Sequence, residues 1–193
     1  MKIAIIPARG GSRRIPGKNK RVFHGHPIIC YSIRKAHESK LFDRVMVSTD
    51  DPEIAAIAMA EGAIAVYRPA LLCDNDVGTQ AVISACAAFI PSDFVCGIYP
   101  TAPLMRPDDI GRGYRMLCEN PFAHYAMAVG AEPLRDAGQF YWGRTQAFLD
   151  RKPLLTANTA MIPISERNVC DINTFDDWQR AERMYEELRG GKT

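Results

Sequence analysis

The stretch Ile5-Ile6-Pro7-Ala8-Arg9-Gly10-Gly11-Ser12-Arg13-Arg14-Ile15-Pro16-Gly17-Lys18-Asn19 decides how the rest of this chain is read. The apolar run Ile3–Ile6 has strand composition and leads straight into a glycine-rich turn. Gly10 and Gly11 let the backbone approach an anion closely, because no Cβ intervenes and positive φ is open to them. Arg9, Arg13, Arg14 and Lys18 supply cationic donors on the same loop. Guanidinium forks match pairs of phosphate oxygens, and an ammonium acts as a compact point charge. A loop this bare and this basic predicts a clamp for a polyphosphate such as a nucleoside triphosphate. A solvated basic loop or a nucleic-acid contact is the competing reading, and the Gly-Gly pair directly after a strand counts against it.

Two phosphate motifs do not fit. A Walker loop needs four residues between its glycine and the Gly-Lys pair, then Ser or Thr for a metal ion. Here Gly11 and Gly17 have five residues between them and Asn19 follows the lysine. The dinucleotide pattern G-x-G-x-x-G is absent as well.

Outward from the loop, strand-like and helix-like segments alternate. A helical pattern over Pro27–Glu38 offers Ile28, Ile29, Tyr31, Ser32 and Ala36 as a core face. Arg44–Ser48 reads as a strand, and Asp51-Pro52 opens a helix with an acidic cap and a first-turn proline. That helix stops at Gly62. Ala63–Tyr67, Phe94–Tyr99 and His124–Val129 read as further strands, Thr79–Phe89 and Pro107–Asn120 as further helices. This order predicts an α/β fold with a mostly parallel central sheet and helices on both faces. Ligands of such sheets bind beyond the carboxyl ends of the strands. Three polar clusters fall there: the Arg9 loop, Ser48-Thr49-Asp50-Asp51, and Tyr99-Pro100-Thr101-Ala102-Pro103-Leu104. One crevice is the expectation.

Near the end, Thr174-x-x-Asp177 resembles a capping box, and Trp178, Ala181, Met184, Tyr185 and Leu188 trace one helical face, which predicts Trp178 in the core. Just before it, the alternation Asp171-Ile172-Asn173 points the outer two side chains to one side of a strand. A carboxylate and an amide oxygen together could hold magnesium beside a triphosphate, although a strand-to-helix turn explains the pattern equally well.

The 193 residues suit a single domain over 1–193, with 47% hydrophobic and 24% charged residues. The formal net charge of +2 is too small for a general nucleic-acid or membrane-binding surface. No apolar run approaches spanning length, and Pro7 and Arg9 interrupt the N-terminal segment too early for a signal peptide. A cytoplasmic protein with no nucleic-acid or membrane partner is expected. Six scattered cysteines without a C-x-x-C pair read as reduced packing residues. His24 and His26, flanking Gly25, lack zinc spacing, and Met59, Met105, Met116, Met127 and Met161 are expected as core fillers.

The run Ile-Pro-Ala-Arg-Gly-Gly-Ser-x-x-Ile-Pro-x-Lys-Asn closely resembles the opening of the CMP-sialic acid synthetase (acylneuraminate cytidylyltransferase) family. Val47-Ser48-Thr49-Asp50-Asp51, Arg68-Pro69, Gly78-Thr79, Thr101-Ala102-Pro103-Leu104 and Asp171-Ile172-Asn173-Thr174 continue the likeness across nearly the whole chain. The segment Asp136-Ala137-Gly138-Gln139-Phe140-Tyr141-Trp142-Gly143 resembles the branch that activates pseudaminic acid. The resemblance implies a Rossmann-like nucleotide-diphospho-sugar transferase fold, a homodimer, and transfer of CMP from CTP to the anomeric hydroxyl of a nonulosonic acid. It also implies roles. Arg9 and Lys18 would be catalytic. Ala8, Arg9, Gly10, Gly11, Ser12, Lys18, Asn19 and Arg68 would bind CTP, with Arg68 against the cytidine. Thr101, Asp136 and Gln139 would meet the sugar, and Asp171 with Asn173 would hold Mg2+. Phe140, Tyr141 and Trp142 read equally well as strand core.

Two departures stand out. The family usually reads Asp-x-Asp where this chain has Asp171-Ile172-Asn173, so one ligand lacks charge. The resemblance also implies a longer segment before Asp136, contributing sugar contacts and the start of a protruding dimerisation element. Here only Ala131-Glu132-Pro133-Leu134-Arg135 follows Gly130. Either the chain is shortened near 130–135, or a loop is missing from the residues given and the numbering closes over it. The missing loop is the expectation. A sialic or legionaminic acid synthetase and a non-catalytic nucleotide-binding module are the alternative functions.

Overall fold

The computed structural model describes residues 1–74, 76–130 and 135–190. Its apolar strand runs assemble into a seven-stranded sheet in the order β5-β4-β1-β6-β8-β7-β9. The ranges are β1 (Lys2–Pro7), β4 (Arg44–Thr49), β5 (Ile64–Tyr67), β6 (Phe94–Ile98), β7 (Tyr125–Gly130), β8 (Arg135–Arg144) and β9 (Thr159–Ile164). Pairs β5·β4, β4·β1, β1·β6 and β7·β9 are parallel, whereas β8 runs against both β6 and β7. A short hairpin of β2 (Val22–Phe23) and β3 (His26–Pro27) stands apart, with His24 and Gly25 at positive φ in its turn.

Alternation along the strands splits the core in two. Ala4, Ile6, Val45, Val47, Phe140 and Trp142 face one way, against α1 (Ile28–Glu38), α2 (Pro52–Ala60) and α4 (Pro107–Glu119). Ile3, Ile5, Val95, Met127 and Tyr141 face the other, against α3 (Thr79–Ala87) and α5 (Thr145–Leu149). Trp142 is fully buried, stacks on Phe42 at 5.1 Å and donates its indole N–H to the Ile110 carbonyl, so it is core. Met105 and Met127 are core as expected; Met59 is not, at 60% exposure. The buried face of α2 is set by Ile54 and Ala58, four residues apart, and Met59 lies about 100° from that line. Cys118 is likewise exposed rather than packed.

A third cluster matters most for the site. Ile15, in the middle of the basic loop, is fully buried with Phe23, Ile28, Tyr31, Leu104 and Ile172 against Trp178 and Ala181 of α6 (Phe175–Gly190). Phe23 meets Tyr31, Trp178 and Tyr185 edge-on at 5.4–5.5 Å. The loop after β1 is thus pinned to the segment before α6 by apolar side chains.

Candidate active site

The basic loop leaves the sheet where β1 ends, and its backbone is tied down residue by residue. The Ala8 N–H donates to the Ser48 carbonyl at 2.9 Å, and the Gly10 N–H to Asp50 Oδ1 at 2.8 Å. A Cβ on Gly10 would stand 2.8 Å from the Asp51 side chain, so the close approach requires glycine. Asn19 is buried; its Nδ2 donates to the Arg9 carbonyl at 2.9 Å and closes the loop on itself. Lys20 bridges Asp51 at 2.8 Å and Glu53 at 2.7 Å, fixing the loop's far end to the start of α2. Of the three polar clusters expected to converge, the Arg9 loop and Tyr99-Pro100-Thr101 line one cleft, whereas Ser48–Asp51 holds the loop from behind and does not line it.

The result is a cleft of about 480 Å3 at the carboxyl ends of β1 and β6. One wall is cationic. Arg9 Nη1 donates to the Asp74 carbonyl at 3.2 Å and more weakly to that of Cys73. Lys18 Nζ donates to the Ile172 carbonyl at 2.6 Å, and burial pushes its pKa below the ordinary lysine value while the neighbouring Asp171 opposes that shift. Arg13 and Arg14 line the cleft, exposed and without a hydrogen bond or ion pair among the described residues.

The cleft also carries two carboxylates, from the start of β8 and from the segment before α6. Asp136 Oδ2 accepts from the Tyr99 hydroxyl at 2.9 Å, and Oδ1 from the Gly138 N–H at 2.8 Å. The side chain is open to the cleft, yet protein on its other sides desolvates it and raises its pKa. Asp171 Oδ2 accepts from Asn173 Nδ2 at 2.5 Å. Residues 171–173 belong to no strand, but Ile172 is buried and its neighbours turn outward, so the expected alternation holds without sheet pairing. Behind them the expected cap forms: the Asp177 carboxylate accepts from the Asn173 and Thr174 N–H groups, and the Asp177 N–H donates to the Thr174 hydroxyl.

Of the residues singled out in the sequence, Arg9, Gly11, Ser12, Lys18, Asn19, Thr101, Asp136, Asp171 and Asn173 line this cleft. Ala8, Gly10, Arg68 and Gln139 do not. Ala8 and Gly10 support the loop from behind. Arg68 is 4% exposed, its guanidinium on the Leu72 carbonyl, with burial lowering its pKa. Gln139 is 2% exposed and donates Nε2 to the Asn168 carbonyl at 2.5 Å. Among the cleft residues given no individual role in the sequence are the polar side chains Thr79 and Tyr99. Both stood inside quoted motifs, but their part depends on β8, which brings Tyr141 to Thr79 and Asp136 to Tyr99. The junction at Ala131-Glu132-Pro133-Leu134 lies outside the described residues; β7 and β8 pair on either side of it, Gly130 with Arg135.

Among the described residues no three His, Cys, Asp or Glu side chains form a ready metal cage. Magnesium does not require one, since it binds through one or two carboxylates plus substrate phosphates. Asp171 beside a cationic phosphate loop fits that pattern.

A mostly parallel sheet whose strand ends set a glycine–arginine loop against two carboxylates places the chain in the nucleotidyltransferase class of α/β proteins. The fold is shared over 97% of the chain with a CMP:2-keto-3-deoxy-manno-octonic acid synthetase solved with CTP (TM-score 0.81, 16% identity, 99% of that chain). It also matches a Mycobacterium tuberculosis protein crystallised with manganese (TM-score 0.66, 13% identity, 94% and 97% coverage). More specifically, the chain belongs to the cytidylyltransferase family, whose model matches residues 3–171. It is 32% identical to the pseudaminic acid cytidylyltransferase of Campylobacter jejuni, covering 95% of each protein. It is 35% identical to the CMP-N,N'-diacetyllegionaminic acid synthase of Legionella pneumophila over 56% of this chain and 49% of that one. The Campylobacter alignment spans 221 positions against 193 residues here, so that relative carries stretches this chain lacks. No described helix is long and apolar enough to cross a membrane.

Proposed function

We propose that this protein transfers CMP from CTP to the anomeric hydroxyl of a nonulosonic acid, pseudaminic acid foremost, and releases pyrophosphate. The observation that carries the reading is one cleft that holds Arg9, Arg13, Arg14 and Lys18 together with Asp136 and Asp171, with Arg13 and Arg14 unpaired among the described residues. The hydroxyl oxygen forms a bond to the α-phosphorus, the α–β anhydride bond breaks, and the hydroxyl proton passes to solvent. Charge grows on the phosphoryl oxygens and on the departing pyrophosphate, so preoriented cations supply most of the acceleration. Arg9, Ser12 and Lys18 hold the triphosphate, with Gly11 admitting it closely and Asn19 beside the loop. Thr101 and Asp136 meet the sugar acid. Arg68, on the Leu72 carbonyl, acts through the 68–74 segment, which presents the Cys73 and Asp74 carbonyls that Arg9 meets.

A divalent cation, magnesium in this proposal, would be held by Asp171 with Asn173 alongside, and would neutralise triphosphate charge. The reading includes a single domain over 1–193 whose segment near 130–135 is missing or shortened relative to the Campylobacter protein, and the longer alignment with that protein supports it. It also includes a cytoplasmic homodimer, whose assembly sedimentation velocity measures.

The test is pyrophosphate release with CTP, UTP and ATP against pseudaminic, legionaminic and sialic acids in magnesium. CTP with pseudaminic acid should give the highest kcat/KM. The partial likeness to a legionaminic acid synthase makes that acid the second candidate. CTP binding without turnover on any of these acids would instead indicate a nucleotide-binding module, the alternative that Asn173 motivates.

A further inference from the structure

The cationic and anionic side chains of the cleft suit different parts of the acceptor. A nonulosonic acid brings one carboxylate together with hydroxyl and acylamido groups that donate hydrogen bonds. A carboxylate set against Asp136 meets like charge, whereas an O–H or N–H finds an acceptor there. The unpaired Arg13 and Arg14 suit the carboxylate instead. Asp136 can discriminate only if its oxygens are held, and two bonds hold them, one from Tyr99 Oη and one from the Gly138 N–H.

Tyr99 is itself well anchored. Its N–H donates to the Gln139 carbonyl at 2.8 Å, its carbonyl accepts from Ser32 Oγ at 2.8 Å, and its ring meets Tyr141 edge-on at 6.2 Å. It follows the last residue of β6, next to β8, where Ile98 pairs with Phe140. Burial raises the phenol pKa far above the ordinary tyrosine value, so the hydroxyl stays a donor. We propose that Tyr99 is a positioning residue for the acceptor: it fixes the Asp136 carboxylate so that Asp136 accepts from a hydroxyl or amide N–H of the sugar acid. This rests on the cytidylyltransferase reading of the cleft.

Tyr99→Phe keeps the ring and both backbone bonds while removing one hydrogen bond to a charged acceptor. The KM for the sugar acid should rise about tenfold to a hundredfold, the range for a hydrogen bond to an ionised group. The KM for CTP and the thermal midpoint should stay at their wild-type values. Asp136→Asn should raise the same KM, and adding Tyr99→Phe to it should change little more, because the phenol then has no charged group to place. If Tyr99→Phe fails to fold, the KM split in Asp136→Asn decides. An unchanged sugar-acid KM, an equal rise in both KM values, or fully additive variants would overturn the proposal. Failure of the parent reading looks different: the wild-type protein itself would turn over no nonulosonic acid, and the role of Tyr99 would fall with it.

Discussion

Arg9 reaches across the cleft mouth to the carbonyls of Cys73 and Asp74, so its guanidinium is oriented before any phosphate arrives. Preorientation of that kind lowers a barrier because no reorganisation is needed when charge develops. Arg9→Ala should therefore cut kcat by about 10²–10³, by analogy with loss of one oxyanion donor, with little change in thermal midpoint. Near-normal turnover in a pyrophosphate-release assay would remove Arg9 from the proposed role. Gly138 gives a second test. It sits at φ 64°, and a Cβ there would lie 2.8 Å from the Asp171 Cβ. Gly138→Ala is both strained and sterically opposed, so it should displace Asp171 and raise the magnesium concentration needed for half-maximal rate. A magnesium titration identical to wild type would argue against Asp171 as the ion's anchor. At this scale the sequence was informative wherever glycine and charge coincide, as from Arg9 to Lys18. It could not show that the Tyr99 hydroxyl meets Asp136 or that Gln139 turns to the Asn168 carbonyl, since a side chain's direction there depends on which strand becomes its neighbour.

The start of α2 shows how a local signal becomes a support for the site. Asp51 caps the helix, Oδ1 accepting from Glu53 N–H at 2.8 Å and Ile54 N–H at 3.2 Å, while Oδ2 holds Lys20. Desolvation pushes its pKa up, but Lys20 and the two N–H groups outweigh that and hold it below the usual carboxylate range. A depressed folded-state pKa contributes stability above the unfolded value near 4, and that contribution fades as pH falls through the lower folded value. Asp51→Ala should cost about 1–2 kcal/mol at pH 7, and the gap from wild type should narrow as pH is lowered past the unfolded-state value near 4. Urea unfolding at pH 7 and below that value measures both. Asp51-Pro52 and Gly62 announced this helix in the sequence, because caps and stops are properties of a few adjacent residues. β9 and α5 gave no comparable sign, and β8 could not be read as antiparallel, because strand direction is fixed by partners distant in the chain.

Across the whole molecule, three apolar clusters divide the labour: two cover the faces of the sheet and the third clamps the basic loop to α6. Trp178, 4% exposed in that third cluster, is a structural residue with a functional neighbour. Trp178→Ala should cost about 3–5 kcal/mol in denaturant unfolding, while the KM for sugar acid in the remaining folded protein stays within about twofold. A large KM change with unaltered stability would give Trp178 a direct role instead. The alternating strands and helices made the layered fold legible, whereas the order of strands across the sheet was not, since hydrophobic pattern reports burial but not neighbours. The reversed course of β8 has one more consequence. Its beginning, not its end, opens onto the cleft through Asp136, which pairs with Val129 near the end of β7. On the proposed reading, chain added or removed between Gly130 and Arg135 would alter the surroundings of Asp136 while leaving the basic loop, held by Ser48, Asp50 and Asp51, in place.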